Sequence, residues 1–148
     1  MTEIGFYHLT RSTLTTALPQ LLARTLAAGQ RAVVLCSDAQ HVAALDRALW
    51  EAEDPWLPHG AEADGDPTLQ PIWLATDDSA PNGGRYLFLA GTTPATPRLE
   101  SFDRVFDVFD GNDPAALQSA RDRWRAAKAA GHTLTYWQQG ARGWEKKA

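Results

Sequence analysis

The chain has 148 residues, 44% hydrophobic and 22% charged, with a formal net charge of −4 and one cysteine. That length suits one domain with a single core, and no apolar run approaches the roughly 20 residues that cross a bilayer. The opening MTEIGFYHLT lacks the basic region of a signal peptide, and the lone Cys36 can close no internal disulfide, which together fit a reducing, cytoplasmic setting.

In chain order, EIGFYHL (Glu3–Leu9) is rich in β-branched and aromatic residues and predicts a strand. Ser12 or Thr13 can cap a helix whose Leu14, Leu18, Leu21, Leu22 and Leu26 recur at helical spacing and which Gly29 ends. RAVVLCS (Arg31–Ser37) is a continuous apolar run, short enough for a strand buried on both faces. Asp38 caps the next helix, with Val42, Leu45 and Leu49 on its apolar side. A β-α-β-α start favours a parallel sheet with right-handed crossovers.

Residues 51–71 break the pattern with four prolines and six acids and no periodicity, and predict a long exposed loop. IWLAT (Ile72–Thr76) and RYLFLAG (Arg85–Gly91) read as two more strands with PNGG supplying the turn between them. DRVFDVFD alternates as a strand. Asp113 caps a helix with Pro114 in its first turn, Gly131 ends it, and HTLTYWQ (His132–Gln138) is a final strand. The chain therefore divides into one α/β domain over residues 1–139 and a loose tail over residues 140–148.

Several chemistries are missing. The loop after the first strand, TRST, has no glycine, and neither glycine-rich phosphate motif occurs anywhere. The four histidines fall at no metal-like spacing, and one cysteine cannot complete a zinc site. Cys36, at a strand end before a helix, reads either as a nucleophile or, more plainly, as a buried small apolar residue. Asp77 and Asp78 read as a solvated turn before they read as an acid–base pair. No catalytic residue, metal or cofactor is expected.

Charge is the informative feature. Residues 1–120 carry 7 Lys and Arg against 16 Asp and Glu, and residues 121–148 carry 7 against 2. Such asymmetry suggests a partner of definite sign at each end. At about 100° per residue, Ala116, Ala120, Ala127 and Ala130 form one stripe of the last helix, able to pack on a sheet. Arg121, Arg125 and Lys128 share another face, and Trp124 sits at the border. Arg123 falls inside the apolar stripe and is expected to snorkel or to pair with an acid.

Read end to end, FYHL at the start, GQRAVVLCSD followed by LDRALW, WLPH in the acidic loop, and ARDRWRAAKAAGHTLTYW near the end carry a resemblance. In that order and spacing the chain resembles the chi subunit of bacterial DNA polymerase III, a clamp-loader accessory protein. The resemblance implies a non-catalytic protein on a Rossmann-like three-layer α/β fold, with a mostly parallel central sheet flanked by helices. It implies association with DNA only indirectly, at the replication fork, and two protein partners. One is the psi subunit, whose contact region in the family corresponds to Trp50, Trp56, Leu57 and Pro58. The other is the C-terminal tail of the single-stranded DNA-binding protein, acidic and ending in phenylalanine with a free carboxylate. For that tail, Arg121 suits the terminal carboxylate as a planar bidentate fork, Arg125 and Lys128 suit the upstream acids, and Trp124 with Leu117 would wall the phenylalanine. Two other readings stand beside this one. The first is a nucleotide-binding or hydrolytic enzyme on a Rossmann-like fold. The second is direct single-strand binding, with Trp124 and Trp137 stacking on bases.

Overall fold

Ala32–Leu35 is apolar at every position and buried at every position, which places it inside a sheet covered on both faces. The computed structural model describes residues 2–52, 57–61, 65–91, 96 and 98–148. Among these, eight strands form one sheet, accompanied by three helices. They run β1 (Glu3–Leu9), α1 (Leu14–Ala27), β2 (Ala32–Leu35), α2 (Ala39–Glu51), β3 (Gly60–Ala61), β4 (Ile72–Ala75), β5 (Tyr86–Ala90), β6 (Arg104–Asp110), α3 (Pro114–Ala129), β7 (Thr133–Gly140) and β8 (Gly143–Lys146). The strand order is β3-β4-β2-β5-β6-β1-β7-β8, and every pairing is parallel except β7 with β8.

Alternation along the strands sorts side chains between two cores. Tyr7, Leu9, Val34, Phe88 and Val108 pack with Leu18 and Leu22 of α1 and Leu45 and Leu49 of α2. Ile4, Phe6, Val33, Leu35, Leu87, Val105 and Phe109 pack on the opposite face with Ala120 of α3. Of the alanine stripe, Ala120 is buried and Ala127 partly buried against that face while Ala130 is exposed, and Leu117 and Trp124 complete the contact.

Helix ends follow from local chemistry. Asp38 accepts a hydrogen bond from the His41 amide at 2.8 Å, and Asp113 accepts one from Ala115 at 3.0 Å, satisfying amides that have no partner within the helix. Thr13 stands at the N-cap of α1 but accepts no backbone amide there. Gly131, at φ +83°, takes the left-handed conformation that ends α3.

Three expectations need correction. PNGG does not join β4 and β5 into a hairpin, because β2 lies between them and pairs with both. There Asn82 donates to Ala32 O and Gln70 O and accepts from the Gly84 amide, so the turn is stitched to the sheet while the chain passes over β2. The segment read as one exposed loop contains buried Leu57 and His59 and strand β3. Residues 140–148 are not a loose tail. β8 pairs antiparallel with β7, and Trp144 packs edge-on to Tyr7 at 5.1 Å, beside the Tyr7–Trp137 stack. That aromatic contact holds the last strand on the sheet edge.

Candidate functional site

Helix α3 offers two surfaces. On the inner one, Arg123 turns to the sheet and meets Asp107 of β6. Its Nε donates to Oδ2 at 2.5 Å and its Nη2 to Oδ1 at 2.9 Å. The acid expected for Arg123 is this one, and it is completely buried. Burial pushes the Asp107 carboxyl pKa up, and the guanidinium opposes that shift.

On the outer surface, Leu117, Ala120, Arg121, Trp124 and Arg125 join Tyr136 of β7 around a hollow of about 380 Å³. Trp124 is half-buried. Its ring stands edge-on to Phe6 at 5.2 Å and to Tyr136 at 5.8 Å, so the indole is fixed on the sheet side and forms a wall. Arg121 and Arg125 are exposed. Arg125 reaches Asp122 at 3.5 Å between two exposed side chains, a contact worth little. Among the described residues no carboxylate lies within ion-pair distance of Arg121 or Lys128. Lys128 is exposed one turn further along and does not line the hollow.

The structure thus brings together four of the five residues selected for an acidic tail: Leu117, Arg121, Trp124 and Arg125. It adds Tyr136 and Ala120, which the sequence reading left as strand and stripe. Tyr136 could have been found by combining two periods: α3 packs on the strand face carrying Leu134 and Tyr136, while Trp137 points to the other face. For the same reason Trp124 and Trp137 cannot form one base-stacking platform.

The second set is more dispersed. Trp50, at the end of α2, is 61% exposed, and its ring lies 4.7 Å from that of His59. Pro58 is half-buried. Leu57 belongs to the core and faces inward. Trp56 lies outside the described residues. Beneath Trp50, His59 Nδ1 bonds Leu57 O at 2.8 Å, and Nε2 lies 2.9 Å from Asp46 Oδ1, close but not aligned as a hydrogen bond.

Three places weighed for chemistry are accounted for. Cys36 is fully buried and burial pushes its thiol up to about 12, which removes it as a nucleophile. The amides of Thr10, Arg11 and Ser12, after β1 where a phosphate would sit, converge on Gln139 Oε1 at 3.0, 3.0 and 3.2 Å. The loop's donors are thus engaged by a side chain of β7. Asp77 bonds the Ser79 amide, and Asp78 bonds the Arg98 amide and guanidinium, so the two carboxylates serve separate turns.

Comparison with known proteins identifies a family for the chain. Residues 1–135 match a family model described as DNA polymerase III chi subunit, HolC. The chain is also similar to the probable DNA polymerase III subunit chi of Rickettsia prowazekii (strain Madrid E). The two are 24% identical over 101 residues, 68% of this chain and 61% of that relative. The match therefore spans less than two thirds of the relative's length.

Proposed function

The chain belongs to the DNA polymerase III chi subunit family, a family of accessory replication subunits, and from that premise we propose that it is a non-catalytic bridge with two protein contacts. One contact takes the acidic C-terminal tail of the single-stranded DNA-binding protein into the hollow on α3. The other engages a psi subunit through the corner around Trp50 and Pro58, with Trp56 in the adjoining segment. In this reading the Rossmann-like layout serves as a scaffold rather than a cofactor site, and the protein works in the cytoplasm at the replication fork. Among the described residues no helix is long and apolar enough to cross a membrane.

The observation that carries the proposal is the hollow itself. A pocket of about 380 Å³ pairs an indole and a phenol with two guanidinium groups, the complement of a phenylalanine ring that bears a carboxylate. Arg121 has no acid of its own among the described residues, so its fork is available to the terminal carboxylate. Arg125 and Lys128 draw in the acids upstream, chiefly speeding encounter. Trp124 and Leu117 wall the ring. A short peptide buries little area, and an affinity in the micromolar range, on the order of −8 kcal/mol, follows. Exposed Trp50, resting on the buried His59 ring, is the anchor for the second partner, and Leu57 O holds that ring through Nδ1.

Titration of a labelled acidic peptide ending in phenylalanine tests the first contact. Arg121→Ala should weaken binding by about 1–3 kcal/mol, as loss of a charged hydrogen-bond partner does. Unchanged affinity removes the assignment. For the second contact, co-purification with a psi subunit should be lost on replacing Trp50 and Trp56 by alanine, since central aromatic anchors often carry over about 2 kcal/mol each.

A further inference from the structure

His8 shares a sheet face with Ile4 and Phe6 and stands beside the hollow. Its Nδ1 lies 2.8 Å from the Tyr136 hydroxyl. The imidazole packs against Phe109 at 5.2 Å and edge-on to Tyr136 at 6.0 Å. Its seat is cleared by Gly111, where a Cβ atom would fall 1.8 Å from His8 Nε2. The charged or titratable groups facing His8 among the described residues are Arg121 from α3, Asp110 from β6 and Tyr136 from β7. Arg121 acts electrostatically on both His8 and Tyr136. The guanidinium in the hollow, the phenol that lines it and the imidazole behind the phenol therefore form one unit.

We infer that His8 and Tyr136 make the hollow a proton-controlled site for a peptide carboxylate, in which a proton taken up by His8 turns the Tyr136 hydroxyl into a donor toward the bound group. The inference rests on the tail-binding reading and specifies how that site is regulated. When neutral His8 carries its proton on Nε2, Nδ1 accepts the phenolic O–H. Tyr136 then offers an approaching carboxylate only oxygen lone pairs, which repel it. One proton from solvent, added at Nδ1, reverses the bond. Nδ1–H now donates to Tyr136 Oη, and the phenol's own proton is free to be donated to the carboxylate. The one bond formed is Nδ1–H, with its proton drawn from solvent, and the charge gained is one positive unit beside Arg121.

The direction of the pH effect follows. Burial, aided by Arg121 and opposed by Asp110, holds the His8 pKa below its ordinary value, so the imidazole is neutral near pH 7. A bound carboxylate favours the protonated ring, so binding takes up a proton and affinity rises as pH falls. The rise continues until the peptide's own carboxylates protonate, near pH 3.3–4.3, roughly their ordinary range.

Fluorescence anisotropy with a labelled acidic peptide ending in phenylalanine, read at about pH 8 and about pH 5.5, tests this on the whole chain. The native protein should bind about fivefold tighter at the lower pH, at the low end of couplings between neighbouring sites. Tyr136→Phe and His8→Gln should flatten the profile, as should a peptide with an amidated C-terminus. His132→Gln, just before the same strand, should keep it. Equal affinity at both pH values, or full pH dependence in His8→Gln, overturns the inference. Should His8→Gln fail to fold, NMR titration of His8 in the native protein decides: its pKa must rise with saturating peptide, and an unmoved value overturns the proposal. The two readings separate through Arg121→Ala. Lost binding in that variant with a flat native profile keeps the tail site and removes the switch, whereas binding indifferent to Arg121 removes both.

Discussion

Arg121 and Arg123 stand two positions apart on α3, a rotation of about 200°, and they meet opposite surroundings. Arg123 is turned to the sheet, where both oxygens of buried Asp107 fix its guanidinium. Arg121 is turned outward over a hollow with an aromatic wall and has no acid partner among the described residues. A cation whose charge is already answered holds the helix in place, and a cation left unanswered beside a pocket is available to a guest. Density of positive charge in the sequence cannot separate the two; the direction of each side chain does.

The strongest way to break this contrast is Asp107→Ala. It leaves the part-buried Arg123 guanidinium without its acid and should cost about 3 kcal/mol in chemical denaturation, the upper end for a lost charged hydrogen-bond partner, while Arg121→Ala stays within about 0.5 kcal/mol. Alkylation of Cys36 near pH 8 gives a second readout. Its thiol is pushed up to about 12, so labelling waits for the fold to open and should accelerate in the first variant only. Equal stability losses in the two would erase the distinction. Next comes Gly111→Ala, which drives a methyl group into the His8 ring. Overpacking of this kind costs about 1–3 kcal/mol, and the Tyr136 contact should shift with it, visible as a changed His8 resonance. Asp113→Ala removes the cap at the start of α3 and should cost about 1 kcal/mol in thermal or chemical unfolding, with peptide binding affected only through the helix. The smallest effect belongs to Arg125→Ala. Stopped-flow association with the acidic peptide should slow at low salt and match the native protein at high salt, because this charge steers encounter. A large change in dissociation rate would make Arg125 a direct contact of the bound peptide rather than a steering charge.

Local rules carried much of the fold. Asp38 and Asp113 cap helices as their positions before apolar stripes suggest, and the β-α-β-α opening yields a largely parallel sheet. For Arg123, inside the stripe, the sequence allowed either snorkelling or an acid partner, and Asp107 supplies the partner. What escaped depended on contacts remote in sequence. GARGWEKKA has no alternating pattern, and its backbone pairing with β7 together with Trp144 meeting Tyr7 makes it a strand. PNGG has turn chemistry, yet the insertion of β2 between β4 and β5 is decided by Asn82 bonding Ala32 and Gln70. Leu57 and His59 sit in a stretch rich in acid and proline, and their burial comes from α2 above them, where Asp46 and Trp50 lie. Tyr136 joins the hollow because α3 lies across β7, a placement that neither element announces alone.

The position of β1 has a consequence for biosynthesis. Residues 3–9 pair on one side with residues 104–110 and on the other with residues from 133 onward, and the loop that follows is gripped by Gln139. β1 therefore leaves the ribosome well ahead of both strands that flank it, and its two edges stay unpartnered until first β6 and then β7 are made. A nascent chain halted before β6 would expose this apolar ribbon along both edges, and one halted before β7 would still leave one edge open to chaperones.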